Sequence, residues 1–220
     1  IDLVDDSSIY IKNSVHAVEE DIVIGGLLAV IIIFFFLANG ASTLISALAI
    51  PTSIVATFGF MHLFGFTLNF MTLLALSLAV GILIDDAIVV IENIYRHLDH
   101  GEGRVKAAIS ASKEIALAVM ATTFSLVAVF FPVATMQGIV GRFFFPFGIT
   151  VSVAVLVSLF VAFTLTPMLS SRLLGKEVHL TKDSAWYWKP FYYFNAVFDW
   201  LNVKYHGTLK WALNHKILTM

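Results

Sequence analysis

Residues 81 to 93 read Gly-Ile-Leu-Ile-Asp-Asp-Ala-Ile-Val-Val-Ile-Glu-Asn and place two adjacent carboxylates, Asp85 and Asp86, inside a long apolar segment. A charged side chain at the centre of a bilayer costs roughly 2.5–3.5 kcal/mol, so ionisable residues in membrane helices are rare and usually functional. No Lys or Arg between Lys12 and Arg96 offsets that cost. The alternative, a solvated pair on a soluble helix, conflicts with the length and apolarity of the flanking residues. The stretch therefore predicts a membrane helix with a functional pair of aspartates.

The composition is typical of a membrane protein rather than of a soluble domain. Hydrophobic residues make up 59% of the 220 positions, charged residues make up 13%, and the mean hydropathy is +0.91. The formal charge of −2 gives no indication of a nucleic-acid partner. Without cysteine there is no disulfide framework and no thiolate metal site. The chain starts without Met and ends as a new apolar run begins, so we expect it to be a piece of a longer protein.

The apolar pattern predicts an all-α membrane protein with a bundle of five transmembrane helices. The predicted spans are residues 22–38, 44–64, 69–95, 115–131 and 147–170, with breaks at Gly and Asn clusters and after Pro132. Pro51 is expected to kink the second span. We predict three parts: a polar lead-in with a short amphipathic helix over 1–21, the bundle over 22–175, and an interfacial helix with the start of a further span over 176–220.

The basic residues predict how the bundle is oriented. Eleven of the thirteen Lys and Arg residues lie either between Arg96 and Lys113 or after Ser170, and only Lys12 and Arg142 lie on the opposite side. Because loops rich in Lys and Arg stay in the cytoplasm, the N-terminal stretch is expected outside and the C-terminal stretch inside.

The segment from Trp186 to Asn214 has an apolar face at helical spacing, with aromatic residues along it. The apolar residues are Phe191, Phe194, Phe198, Leu201 and Tyr205. This pattern favours an amphipathic helix in the cytoplasmic headgroup region. A soluble helix packed on a missing partner is the alternative.

Adjacent helical residues are about 100° apart, so Asp85 and Asp86 are predicted to face one interior sector of the bundle. Two carboxylates this close in a low dielectric do not both ionise readily, so the pair is expected to take up and release protons as one coupled unit. Gly81, one turn earlier, would let another helix approach closely. Glu92 is four residues before Arg96, a spacing that permits an ion pair. None of the other predicted spans contains a Lys or Arg, so a stabilising cation would have to come from outside this chain.

His97, Asp99 and His100 have a spacing that could ligate zinc, but further ligands are missing from the surrounding sequence. The chain also has no Gly-rich phosphate loop and no nucleophile motif. We therefore expect no metal and no organic cofactor.

These residues resemble those of the resistance–nodulation–division (RND) efflux transporters, in the branch that exports drugs and amphiphiles. The stretch 81–93 is similar to the fourth transmembrane helix of that family, and the resemblance covers nearly the whole chain in order. Further matching motifs are Gly65-Phe66-Thr67-Leu68-Asn69, Phe131-Pro132-Val133, Gly138-Ile139-Val140-Gly141-Arg142-Phe143-Phe144 and Leu165-Thr166-Pro167. On this resemblance the chain covers transmembrane helices two to six, and residues 1–21 are the exit from a periplasmic domain.

The resemblance implies a secondary active transporter, not an enzyme. Members of the family are multi-pass proteins of the bacterial inner membrane that exchange protons for their cargo, usually as homotrimers joined to a periplasmic adaptor and an outer-membrane channel. Asp85 and Asp86 would form the proton relay, with protons as the coupling ion and a lysine on a later helix as partner. The supporting residues would be Gly81, Glu92, Asn93, Asn69 and Arg96. Because exporters of heavy metals tend to lack the second aspartate, Asp86 favours the drug branch.

Two other functions are considered. An intramembrane aspartyl protease also uses paired aspartates, but its carboxylates must oppose each other across a water molecule, and no other span here contains an Asp. A non-exporting relative, such as a sterol-sensing or secretion-accessory protein, shares the topology but does not predict the aspartate pair.

Overall fold

The computed structural model of the chain describes residues 7–37, 39–175 and 189–214. These residues form six helices and no strand. The helices are α1 (Ser7–Leu37), α2 (Gly40–Leu63), α3 (Phe70–Asp99), α4 (Arg104–Ala134), α5 (Gly138–Leu173) and α6 (Lys189–Asn214). The predicted all-α membrane fold is confirmed, whereas the division of the chain at residues 21 and 175 stays a prediction.

Four helices, α2 to α5, are long and apolar enough to cross a membrane. The apolar part of α1 runs from Val23 to Phe35 in the described region, which at 1.5 Å per residue is about 20 Å long. It is shorter than the predicted span over 22–38. Helix α1 is also continuous from Ser7, so the predicted lead-in helix and the first span form one element.

The connections between helices are shorter than predicted. Asn39 caps α2, which begins at Gly40 instead of residue 44, because the Asn39 Oδ1 atom accepts the N–H groups of Ala41 at 2.9 Å and Ser42 at 3.4 Å. Helix α5 begins at Gly138 instead of residue 147, so its first two turns occupy what was predicted as a loop. Gly138 has φ 81°, a value that glycine adopts without strain.

Pro132 does not end α4, as had been predicted, whereas Pro51 and Pro167 lie inside helices in agreement with the predicted spans. Helix α4 continues beyond Pro132 to Ala134, and Pro51, Pro146 and Pro167 also lie inside helices. Proline is tolerated in membrane helices where neighbouring helices and hydroxyl side chains satisfy the freed carbonyls.

Helix α5 is the centre of the bundle and packs against α2, α3 and α4, while α1 covers α2 and α3. Small residues allow the close packing: Ala107, Ala108 and Ala111 of α4 are buried with Ala162 of α5 in one apolar cluster. Large apolar side chains such as Leu117 and Phe160 point outward, as expected of surfaces that face lipid.

Helix α6 contacts the rest of the described chain through α1. Its Trp200 is exposed, and the Lys204 Nζ atom lies 4.8 Å from the centre of the Trp200 ring. Trp186, Trp188 and the side chains of Phe191, Phe194 and Phe198 lie outside the described part of the structure. The location of α6 at the membrane surface therefore stays a prediction.

Candidate functional site

The two aspartates lie at the middle of α3, as its sixteenth and seventeenth residues of thirty. The prediction that both aspartates face one interior sector of the bundle is wrong for this structure. Asp85 is exposed and lines a groove between α1 and α3, whereas Asp86 is half-buried and lies beside Ser158 of α5. The divergence follows from the turn of about 100° between neighbouring helical residues, because α3 is flanked by different helices on those two sides.

The groove beside Asp85 has a volume of about 630 Å³. It is mostly apolar, and its polar lining comes from α3. The lining residues from α3 are Ser77, Val80, Gly81, Asp85 and Ile88, and those from α1 are Ile24, Gly25, Leu28, Ala29, Ile32 and Ile33. A carboxylate at the edge of an apolar groove, with one hydroxyl two turns away, is suited to receive a polar or cationic group.

Gly81 does not make the close helix contact that was predicted for it. A Cβ atom added at Gly81 would meet no atom of another residue within 4 Å. The glycine faces the groove, so its effect in this structure is to leave open space one turn before Asp85.

Ser158 is the neighbour of Asp86 that sequence reasoning missed. Its Oγ atom donates a hydrogen bond to the backbone carbonyl of Leu83 on α3 at 3.1 Å, and its hydroxyl also lies within hydrogen-bonding reach of the Asp86 carboxylate. Ser158 is 2% exposed. This serine therefore ties the centre of α5 to the turn of α3 that bears the aspartates; the only signal for it in the sequence is a hydroxyl in the middle of an apolar span.

Asn69 acts at the start of α3 rather than near the aspartates. Its Oδ1 atom accepts the N–H groups of Met71 at 2.9 Å and Thr72 at 3.1 Å, and Thr72 Oγ1 accepts the Asn69 N–H group at 2.9 Å. This reciprocal arrangement is a capping box, which fixes the first turn of the helix.

Asn93 and Arg96 lie at the other end of α3 and contact α4. The buried Asn93 side chain donates to the Ala111 carbonyl at 2.8 Å and to Glu114 Oε2 at 3.4 Å. Arg96 forms its ion pair with Glu114 Oε1. The spacing in the sequence had suggested Glu92 as its partner. Glu92 is exposed and borders a cavity of about 380 Å³ with Asn93 and Arg96. Arg96 pairs with Glu114 because α4 places this carboxylate next to the face of α3 that carries Arg96.

His97 is surrounded by two glutamates. Its Nε2 atom is 2.9 Å from Glu114 Oε2, and its Nδ1 atom is 3.4 Å from Glu102 Oε1. Within the described ranges, no three His, Asp, Glu or Cys side chains are grouped so that they could hold a metal ion. Asp99 and His100, the other members of the weak zinc pattern, are exposed.

Two groups of this cluster have shifted pKa values, and both lie beyond the predicted spans that end at Tyr95 and restart at Ile115. The hydrogen bond from Arg96, supported by that from His97, lowers the pKa of Glu114 to about 2. The hydrogen bond to Glu114 raises the pKa of His97. The glutamate is therefore ionised at neutral pH, and it favours the charged form of the histidine.

Comparison with known proteins gives a consistent result over the whole chain. The model of the AcrB/AcrD/AcrF family matches residues 1–220. Multidrug resistance protein MdtC from Pectobacterium carotovorum subsp. carotovorum (strain PC1) is 41% identical over an alignment of 218 residues that covers 98% of this chain and 20% of the relative. MdtC from Klebsiella pneumoniae subsp. pneumoniae is 40% identical over an alignment of 221 residues that covers 100% of this chain and 21% of the relative.

MdtC from Escherichia coli O139:H28 is 39% identical over 215 residues, which are 98% of this chain and 20% of the relative. The chain thus spans about a fifth of the length of the curated relatives it matches. With four helices suited to cross a membrane, it is part of a multi-pass membrane protein. The match over all 220 residues places the chain in the AcrB/AcrD/AcrF family of resistance–nodulation–division (RND) efflux transporters.

Proposed function

We propose that this chain is the transmembrane part of a proton-coupled exporter of drugs or other amphiphilic compounds, in which Asp85 and Asp86 carry the protons. The observation on which the proposal rests is the adjacent carboxylate pair at the middle of α3, between the groove on one side and Ser158 on the other. The family membership and the printed name of the relatives, multidrug resistance protein, support export as the activity.

The different surroundings of Asp85 and Asp86 suggest different roles for the two carboxylates in proton transfer. Asp85 borders an open groove through which a cation or water could reach it, and Asp86 lies beside the Ser158 hydroxyl of α5. Moving one proton across the membrane provides about 2.3 kcal/mol per 100 mV of membrane potential. The relay converts this energy only if charging the aspartates favours a different arrangement of the helices.

The remaining parts of the proposal concern components beyond this chain. A lysine on a later helix of the same polypeptide stabilises the charged aspartates, and protons are the coupling ion without a metal or organic cofactor. The full protein lies in the bacterial inner membrane as a homotrimer, with a periplasmic adaptor and an outer-membrane channel. Family membership supports the proposed partners, and the absence of any Lys or Arg from the other predicted spans of this chain supports a cation from outside it.

A protease is disfavoured by the placement of the carboxylates. Its two aspartates must face each other, whereas Asp85 and Asp86 follow one another on one helix and point to different neighbours. The predicted spans contain no other Asp. A non-exporting relative would share the topology but does not predict the pair.

The test uses the full-length protein, with export of ethidium from whole cells as the probe. Asp85→Asn and Asp86→Asn should each abolish proton-linked export and leave the amount of membrane-inserted protein unchanged, because removing a charge lowers the cost of insertion. Asp99→Asn is the matched control, since it removes an exposed carboxylate from the end of the same helix. Wild-type export by both single variants would refute the relay.

A further inference from the structure

One carboxylate on α4 engages three side chains of α3. Glu114 is the common partner of Asn93, Arg96 and His97. Arg96 and His97 follow Asn93 by three and four positions, so both lie one turn beyond it on the same side of α3. Because all three converge on one point of α4, their bonds hold α3 at one rotation about its own axis.

The face held by Glu114 is the face that bears Asp86. Seven residues separate Asp86 from Asn93 and eleven separate it from His97, so both lie within about 20° of Asp86 around the helix, roughly 10 and 16 Å further along it. A rotation of α3 that moved Asp86 away from Ser158 would therefore also separate Asn93 and His97 from Glu114. The Asn93 side chain is 7% exposed and also donates to the Ala111 carbonyl, one turn before Glu114, which adds a buried bond to the same contact.

We infer that Glu114 is a positioning residue for the relay: by binding Asn93, Arg96 and His97, it sets the rotation of α3 that places Asp86 against α5. The inference depends on the proposed function, because it gives Glu114 a role in proton-coupled export. Glu114 itself is half-exposed, and it contacts α3 seven to eleven residues beyond Asp86. It therefore acts through the orientation of α3 and not by contact with the relay.

The contact between Glu114 and α3 depends on pH because His97, which can gain or lose a proton, is one of the three residues that bind Glu114. The charged groups around His97 are Glu114 on α4, Glu102 in the connection between α3 and α4, and Arg96 on its own helix. Since the pKa of His97 is raised in the folded protein, its charged bond to Glu114 is fully formed below the ordinary histidine pKa of about 6.5. The bond weakens as the pH rises through the raised value. Because this end of α3 is predicted to be cytoplasmic, the relevant pH is that of the cytoplasmic side.

The experiment measures ethidium export by the full-length protein in proteoliposomes over a range of pH on the cytoplasmic face. Glu114→Gln keeps the size and one oxygen acceptor but removes the charge. We expect it to slow export about tenfold, within the loss that a small misplacement of a reacting group produces. We also expect the decline of export with rising cytoplasmic pH to be lost, so that the defect is largest at low pH, because the variant has no charged bond to His97 that deprotonation could weaken.

Two further variants decide the interpretation. Glu114→Asp retains the carboxylate and should restore most of the rate and the original pH dependence, whereas Asp99→Asn, an exposed carboxylate at the same end of α3, should behave as wild type. Wild-type export by Glu114→Gln at every pH would overturn the inference. An equal loss at all pH values, or an equal loss in Glu114→Asp, would also overturn it, since either result indicates a role in folding alone. Failure of the relay is recognised separately, by active Asp85→Asn and Asp86→Asn variants.

Discussion

Gly81 and Gly148 are both glycines within membrane helices, but their surroundings differ. A Cβ atom at Gly81 would meet no atom of another residue within 4 Å, whereas one at Gly148 would lie 2.8 Å from both the Ala134 nitrogen and the Phe130 oxygen of α4. Both neighbours are backbone atoms and cannot move as a flexible side chain can. A glycine is therefore required at position 148, where α5 crosses α4. At position 81 no neighbour in the described part of the structure would exclude a larger side chain.

Substitution by alanine should separate the two glycines. Gly148→Ala forces α4 and α5 apart, and overpacking of this kind costs about 1–3 kcal/mol. We expect it to lower the thermal unfolding midpoint of the detergent-solubilised full-length protein, while Gly81→Ala should not lower it, because alanine fits there and favours the helix. Equal midpoints for Gly148→Ala and wild type would show that α4 and α5 cross less closely than the distances at Gly148 indicate.

At the scale of elements, α3 is fixed at both ends by side chains of different kinds. Its start is held locally by the capping box of Asn69 and Thr72. Its end is held by the contacts of Asn93, Arg96 and His97 with Glu114 on α4. The stretch around the aspartates is linked to α5 by the hydrogen bond from Ser158 Oγ to the Leu83 carbonyl. The helix that bears the relay thus has a defined length and orientation before any partner from outside the chain is considered.

The capping box makes a prediction for the start of α3. Asn69→Ala removes the acceptor for two N–H groups and should destabilise the first turn by about 1 kcal/mol. Hydrogen–deuterium exchange at residues 70–74 should become faster in this variant, and Asn69→Asp, which can still accept both bonds, should exchange as wild type does. Unchanged exchange in Asn69→Ala would mean that packing alone holds this turn.

The helices show which parts of the fold the sequence could predict and which it could not. Long apolar runs predict the existence and order of the membrane helices well, because the bilayer requires long helices of apolar residues. Their ends were predicted less well: Pro132 and Pro146 lie inside helices, and α5 starts nine residues early, since a proline inside a bundle need not end a helix. The pairing of Arg96 with Glu114 was missed because helical spacing favoured Glu92, and no spacing rule reveals a partner on another helix.

At the scale of the whole molecule, the distribution of charge should decide which way the bundle faces. Helix α4 has 31 residues and is about 46 Å long, more than the roughly 30 Å of a bilayer core. Its two ends therefore emerge on opposite sides. The helix ends that flank the connection before it carry Arg96 in α3 and Arg104, Lys106 and Lys113 in α4, whereas Arg142 in α5 is the only Lys or Arg near the connection after it. The rule that basic loops remain inside assigns the first connection to the cytoplasm and the second to the periplasm.

Cysteine labelling at the two ends of α4 tests this orientation. Gly101 and Gly138 are poor positions for it, because their φ values of 86° and 81° would strain any other residue. Gly103 and Gln137 are better choices: both are exposed, both have negative φ, and neither makes a side-chain cap bond. In a full-length protein without other cysteines, an impermeant maleimide added to cells with a permeabilised outer membrane should label Gln137→Cys and not Gly103→Cys. Labelling of Gly103→Cys alone would reverse the orientation and would place the Glu114 contact on the periplasmic side, where rising cytoplasmic pH could not weaken it.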